Sequence, residues 1–277
     1  MRVGFIGLGN MGSAQAAEIA RAGFELTVYD AFARTLDAFT GGTRAGSPAE
    51  VASGCDIIGI CVRDDPQVRE VIFGAKGLAA AIAPGALVLV HSTVSPATIR
   101  AAAEGLHRRG AALIDAAVTR TRYGTAAGPF VLSMTGGDPA LTERARPVLA
   151  AFSTEVVHAG PLGAGMALKI ANNFVTWSHI LVIKQALALA HAGGVGIGTL
   201  RAVMKGNGNL TAVTAAVMDG AERDAGGMSP ERRDFLESQG RIGEKDLALA
   251  LEMAQAAGVD LSMGAQAARD ILEAMQR

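Results

Sequence analysis

The chain has 277 residues, half of them apolar and only 4% aromatic, with 25 basic against 26 acidic side chains and a formal net charge of −1. A length of this order supports two domains with separate cores, packed from Ala, Leu, Val and Ile against an unusual number of glycines. The balanced, evenly spread charge gives no electrostatic case for a nucleic-acid or membrane partner.

Met1-Arg2 runs straight into a short apolar run, Val3 to Ile6, leaving no room for a signal segment; the expectation is a soluble, cytoplasmic protein. The run is followed by Gly7-Leu8-Gly9-Asn10-Met11-Gly12 and then by the glycine-free stretch Ser13 to Ala22. A turn of this kind, between a buried strand and a helix, is built to hold a dinucleotide. Gly7 allows the tight turn, Gly9 lets the backbone approach a pyrophosphate, and Gly12 lets the helix lie close on the strand. The pyrophosphate then rests on free N–H groups at the positive end of the helix. A second strand, Leu26 to Tyr29, ends at Asp30, about 20 residues on, where a carboxylate accepts from both ribose hydroxyls and repels a 2′-phosphate. NAD is therefore expected over NADP, with Arg34 placed to soften the preference.

Further strands follow near Thr43, at Asp56 to Cys61, Ala86 to Val90 and Ala112 to Ile114. They alternate with helical patterns such as Pro96 to Arg109, which starts behind Ser95 as N-cap. That alternation predicts an α/β, doubly wound parallel sheet of the Rossmann type. Cys55 and Cys61 flank an apolar strand and read as buried thiols, not a disulfide or metal pair. Two more strand signals, Pro129 to Met134 and Glu155 to Val157, flank a helix opened by Gly137-Asp138-Pro139. Beyond Gly160-Pro161 the strands cease. Gly163 to Ala192 reads as one long helix, and the remainder as helix or loop, with Lys205 to Asn209 and Asp224 to Pro230 loop-like. The expected domains are 1–162, dinucleotide-binding, and 163–277, all-helical. The most apolar stretch, Ile170 to Ala190, carries Asn172, Asn173, His179, Lys184 and Gln185, too many polar groups for a membrane span.

In the long helix Lys169, Asn172, Asn173 and Thr176 fall at i, i+3, i+4 and i+7 and share one face. Spacing alone leaves two readings open: a solvated stripe, or a Lys-Asn pair facing a cleft between the domains and suited to acid–base work. The five histidines (His91, His107, His158, His179, His191) are scattered without ligand spacing, so no metal is expected. His91 lies at a strand end beside Ser92-Thr93 and reads as a structural histidine.

Four blocks in order then resemble the β-hydroxyacid dehydrogenase family, which includes 3-hydroxyisobutyrate dehydrogenase, tartronate semialdehyde reductase and, more distantly, 6-phosphogluconate dehydrogenase. They are Gly4 to Gly12, Ser92-Thr93-Val94-Ser95-Pro96, Gly163 to Asn173, and Lys245-Asp246-Leu247. The resemblance implies hydride transfer between NAD and a small 3-hydroxy acid or its semialdehyde. It implies Lys169 as general acid/base, Asn173 aligning the reacting oxygen, and Asn172 beside them toward the substrate. Thr93 would meet the nicotinamide side of the cofactor, and Val62 and Arg63 would form the loop beneath it. Lys245 would reach toward cofactor and substrate; the plainer alternative is an exposed lysine at a helix start. One block departs. Where the family usually reads Asp-Ala-Pro-Val-Ser-Gly-Gly, this chain has Asp115-Ala116-Ala117-Val118-Thr119-Arg120-Thr121-Arg122. Thr119 keeps a hydroxyl for the substrate carboxylate, with Thr121 nearby. Arg120 and Arg122 either face solvent or clamp an anionic group. The resemblance, with a long helix apolar on more than one face, also implies a homodimer or higher homo-oligomer. Two other readings remain: an imine reductase on the same fold, and a catalytically silent dinucleotide-binding protein. Relatives of both kinds generally lack the lysine, so Lys169 counts against them.

Overall fold

The computed structural model describes residues 1–121 and 127–276. Among them the chain runs β1 (Arg2–Ile6), α1 (Asn10–Arg21), β2 (Glu25–Tyr29), α2 (Ala33–Ala38), β3 (Thr43–Arg44), α3 (Pro48–Gly54), β4 (Ile57–Ile60), α4 (Asp65–Phe73), β5 (Leu87–Val90), α5 (Pro96–His107), β6 (Ala112–Arg120), β7 (Val131–Gly136), α6 (Pro139–Phe152) and β8 (Ser153–Gly160). Five helices follow: α7 (Ala164–Ala192), α8 (Ile197–Asn207), α9 (Ala212–Asp224), α10 (Pro230–Ala257) and α11 (Ser262–Gln276). Local chemistry sets many of these starts. Ser47, Asp64, Ser95 and Asp138 each accept a backbone N–H as N-cap, with proline in the first turn behind them.

The strands form one sheet among the described residues, in the order β3-β2-β1-β4-β5-β6-β7-β8. All neighbours are parallel except β6 and β7, which run antiparallel from Asp115 opposite Gly136 to Arg120 opposite Val131. Strands β4 and β5 are apolar runs buried along their whole length, as a sheet covered on both faces requires. One face packs Val88, Ile99 and Leu106 against Ile58 and Ile60; the other packs Ile19 of α1 and Phe152 of α6 against Phe5 and Leu89.

Strand β6 continues six residues beyond the expected end at Ile114, because Asp115, a polar residue in an apolar run, does not stop it. Its carboxylate is fully buried and accepts from Gly163 N at 2.8 Å and Met166 N at 2.7 Å. These are orphan donors at the start of α7, so the strand satisfies the helix end and the helix end satisfies the strand. Burial raises the carboxyl's pKa, and the backbone donors pull it part of the way back. The same junction explains the small residues that open α7. A Cβ on Gly165 would run into the Met134 carbonyl and the Asp115 carboxylate. The return into β7 is antiparallel because the stretch between Arg120 and Val131 is too short for a crossover helix.

The chain divides into two compact units, Met1–Lys169 and Ile170–Arg277. The division falls inside α7, after Lys169, and not at its first residue. The second unit has its own core of Trp177, Leu181, Leu247, Ile271 and Met275. No helix among the described residues is long and apolar enough to cross a membrane.

Candidate functional site

Strand β1 lies between β2 and β4, so the chain leaves it in one direction and later returns on the other side. The crevice opened at the carboxyl ends of such strands is where ligands bind. Here Gly7 has φ +93° and no room for a side chain, since a Cβ would strike the Cys61 carbonyl; a Cβ on Gly12 would strike the Gly7 carbonyl. At Gly9, by contrast, a Cβ would have nothing within 4 Å. The turn is thus closed from below and open where a pyrophosphate would approach. Helix α1 starts at Asn10-Met11 with no side-chain cap and no acidic residue in its first turn. Its N-terminal N–H groups and positive dipole end fit an anionic ligand.

Asp30 braces this turn. One carboxylate oxygen accepts from Leu8 N at 2.7 Å and the other from Phe32 N at 2.8 Å. Each oxygen keeps a second lone pair, the acceptor set a ribose diol needs. Two neighbouring loops are tied together where Val62 N donates to Ser92 Oγ at 2.7 Å. Thr93 follows, half-buried, while Arg63 is exposed and its backbone N–H donates to Gln67 Oε1 at 3.0 Å.

The polar face of α7 divides in two. Lys169 and Asn173 are each only 8% exposed, whereas Asn172 lies in solvent and its carbonyl accepts from Thr176 Oγ1 at 3.1 Å. The stripe is therefore neither wholly solvated nor wholly buried. Within the second unit Asn173 Nδ2 donates to Asp246 Oδ2 at 2.6 Å, and Trp177 Nε1 reaches the same oxygen at 3.2 Å. Lys245 Nζ donates to Asp246 Oδ1 at 2.8 Å. Lys245 is not at a helix start: α10 spans Pro230–Ala257 and places it mid-helix, partly buried. Asp246 is the residue that sequence reasoning missed. It stood in the Lys245-Asp246-Leu247 block, but nothing local marked it as the carboxylate that orients Asn173 and Lys245 together.

At the end of β6, Thr119 is half-buried opposite Leu132. Arg120 turns back over its own unit. Its guanidinium carbon lies 5.3 Å from the centre of the Phe130 ring, and Nη2 is 3.1 Å from Met11 Sδ. Thr121 is exposed and its N–H donates to Phe130 O at 2.9 Å. Arg122 lies outside the described residues. Just after it the chain touches α1 again, with Gly128 N donating to Glu18 Oε1 at 3.0 Å. Among the described residues no three His, Cys, Asp or Glu side chains gather as a metal-binding set.

Residues 2–160 match the family model described as the NAD binding domain of 6-phosphogluconate dehydrogenase, and residues 163–277 match that of the NAD-binding region of NADP-dependent 3-hydroxyisobutyrate dehydrogenase. The chain belongs to the β-hydroxyacid dehydrogenase family. It is a pyridine-nucleotide-dependent oxidoreductase of the kind that acts on a CH–OH group. Over 96% of its length it is 33% identical to the NAD-dependent L-serine dehydrogenase of Pseudomonas aeruginosa, covering 89% of that protein. Among solved structures it resembles Mycobacterium tuberculosis 3-hydroxyisobutyrate dehydrogenase, described with L-serine, at a TM-score of 0.81 and 26% identity, covering 99% of this chain and 94% of that one. An imine reductase from Streptomyces aurantiacus, 24% identical at a TM-score of 0.66 and covering 100% of this chain and 94% of that one, shares the fold.

Proposed function

We propose that this dehydrogenase moves a hydride between NAD and a small 3-hydroxy acid, with Lys169 exchanging the hydroxyl proton. The observation that carries the proposal is the state of α7: Lys169 and Asn173, four residues apart on one helix, are both buried, and Asn173 is locked onto Asp246. A proton relay needs a side chain held in one orientation within reach of the reacting oxygen. In the oxidative direction the carbinol carbon loses a hydride and its hydroxyl loses a proton. Bound nicotinamide supplies the hydride acceptor. Lys169 Nζ takes the proton, Asn173 holds the oxygen in line, and Asp246 keeps Asn173 and Lys245 from turning away. In reduction the same lysine returns the proton.

Gly7 to Gly12 would seat the pyrophosphate, Asp30 the ribose diol, and Val62, Arg63 and Thr93 the path between the two nucleosides. The Asp30 carboxylate supports a preference for NAD, since a 2′-phosphate would meet like charge. Thr119, Arg120, Thr121, Arg122, Asn172 and Lys245 make up the set from which substrate contacts would be drawn. Two similar proteins, one named for L-serine and one described with it, support an acid of that size, serine itself being a 3-hydroxy acid. The assembly is proposed to be a homodimer.

Reduction of NAD, followed by absorbance with L-serine, 3-hydroxyisobutyrate and larger mono- and dicarboxylic 3-hydroxy acids, tests the reading. At least one acid should turn over, faster with NAD than with NADP. Nucleotide binding without turnover of any acid in the panel would point to a catalytically silent protein instead.

A further inference from the structure

We propose that Asp115 is a positioning residue for the reaction: its carboxylate seats the first turn of α7 on the sheet and so sets the reach of Lys169 relative to Thr119. The inference rests on the proton-transfer role proposed for Lys169 and on Thr119 as a substrate contact.

The seat is the first argument. One oxygen of the buried Asp115 carboxylate accepts from Gly163 N and the other from Met166 N. A carboxylate that holds both N–H groups fixes the turn between them against sliding and against rotation. The packing around it leaves no slack. A Cβ on Gly136, opposite Asp115 on β7, would lie 2.6 Å from Asp115 Oδ1 and within 2.9 Å of the backbone nitrogens of Ala164 and Gly165. Met166 is buried in the same core as Ala117 and Met134. Helices α3 to α6 are capped by a residue next to them in sequence, but Pro161-Leu162-Gly163 offers α7 no such side chain. A local cap would secure the helix wherever it lay. A cap carried on β6 also fixes where it lies.

Reach is the second. Lys169 follows Met166 by three residues and Gly165 by four, so the three share a face of α7. At about 1.5 Å of rise per residue, the Lys169 backbone is only ~5 Å along the helix axis from the seat. The helix between them is regular and lies within one compact unit, Met1–Lys169, so a shift at the seat carries the lysine with it. Along β6 the side chains alternate. Asp115, Ala117 and Thr119 share one face, with Ala117 in one core cluster and Ala116 and Val118 in the opposite one. One carboxylate thus ties the helix bearing the proton-transfer residue to the strand, and the strand face, bearing Thr119.

A double-mutant cycle tests the assignment, with kinetics on the acid of the panel that turns over fastest. Asp115→Asn keeps one acceptor oxygen and sets an NH2 group against the other helix N–H. Gly165→Ala leaves the carboxylate in place and lifts the helix from its seat, since the new Cβ meets the Met134 carbonyl. Each should lower kcat by roughly 10- to 10²-fold, the scale of a misplacement of about 1 Å, while NADH binds as tightly as before and at as many sites per chain. Because Asp115 acts through Lys169, Asp115→Asn should lower kcat no more than about twofold further in a Lys169→Ala background. Full turnover in both variants would overturn the proposal and leave Lys169 in its role. So would an equal loss from Asp115→Asn with and without Lys169, or NADH affinity falling in step with kcat, the mark of a loosened fold. If Asp115→Asn does not fold, Gly165→Ala and its combination with Lys169→Ala complete the same cycle. Full turnover in Lys169→Ala alone would instead remove the proton-transfer reading, and this proposal with it.

Discussion

His91 stands at the carboxyl end of β5, one residue before Ser92, where a catalytic histidine could sit. Its Nδ1 donates instead to Ala116 O at 2.8 Å, and its ring stacks on Phe5 at 5.7 Å and meets the edge of Phe152 at 5.5 Å. Burial pushes its pKa down to about 4, and the Ala116 carbonyl offsets only part of that. Between pH 6.5 and about 4 the unfolded chain takes up a proton that the folded one refuses. The stability supplied by neutral His91 is therefore present above pH 6.5 and lost as pH falls toward 4, about 3 kcal/mol over the window. Urea unfolding of wild type and His91→Phe should show the wild type's advantage at pH 7 shrinking by pH 4.5. A stability difference that does not vary with pH would contradict this account. His91, Asp115 and Asp246 also mark what a linear reading misses at this scale. The turn from Gly7 to Gly12 explains itself within six neighbouring residues. Asp115 finds its helix end 48 positions away and Asp246 finds Asn173 at 73, and no local pattern announces a partner at such a distance.

Helix α7 was legible almost to the residue, because small residues open it, Gly193-Gly194 follow it, and nothing between them breaks a helix. Its faces were less so. The i, i+4 spacing put Lys169 and Asn173 together, but only packing could show that Asn172 lies in solvent while they do not. Strand β6 was underestimated for the converse reason, a charged residue whose partner lay elsewhere. The same helix carries the argument for assembly. Val175, Val182 and Leu189, seven residues apart, are 50%, 54% and 76% exposed, and Leu168 extends the series. A heptad repeat of exposed apolar side chains suits a seam for another helix, which in the proposed homodimer a second copy of the chain would supply through two-fold symmetry. Light scattering should give twice 28.2 kDa for the wild type and a smaller mass for Val182→Glu/Leu189→Glu. A wild-type monomer would remove α7 as a dimer seam.

At the scale of the whole molecule, the residues proposed for the chemistry fall in both units. Met1–Lys169 holds the glycine-rich turn, Asp30, the tied loops after β4 and β5, and Lys169 as its last residue. Ile170–Arg277 holds Asn173, Trp177, Lys245 and the Asp246 carboxylate that fixes them. The blocks of sequence that marked the family fall in both, which is why the family could be read before the structure. The substrate could not, because the one block that departs from the family, Thr119 to Arg122, lies among the residues proposed for substrate contacts. The central claim is that Lys169 moves the substrate's proton. It is tested most directly by steady-state kinetics of Lys169→Ala on the best acid of the panel, alongside its affinity for NADH. The account predicts that kcat falls by roughly 10²–10⁴-fold, the usual worth of a positioned acid–base group, while NADH binds nearly as tightly as before. A variant that keeps most of its turnover would contradict it.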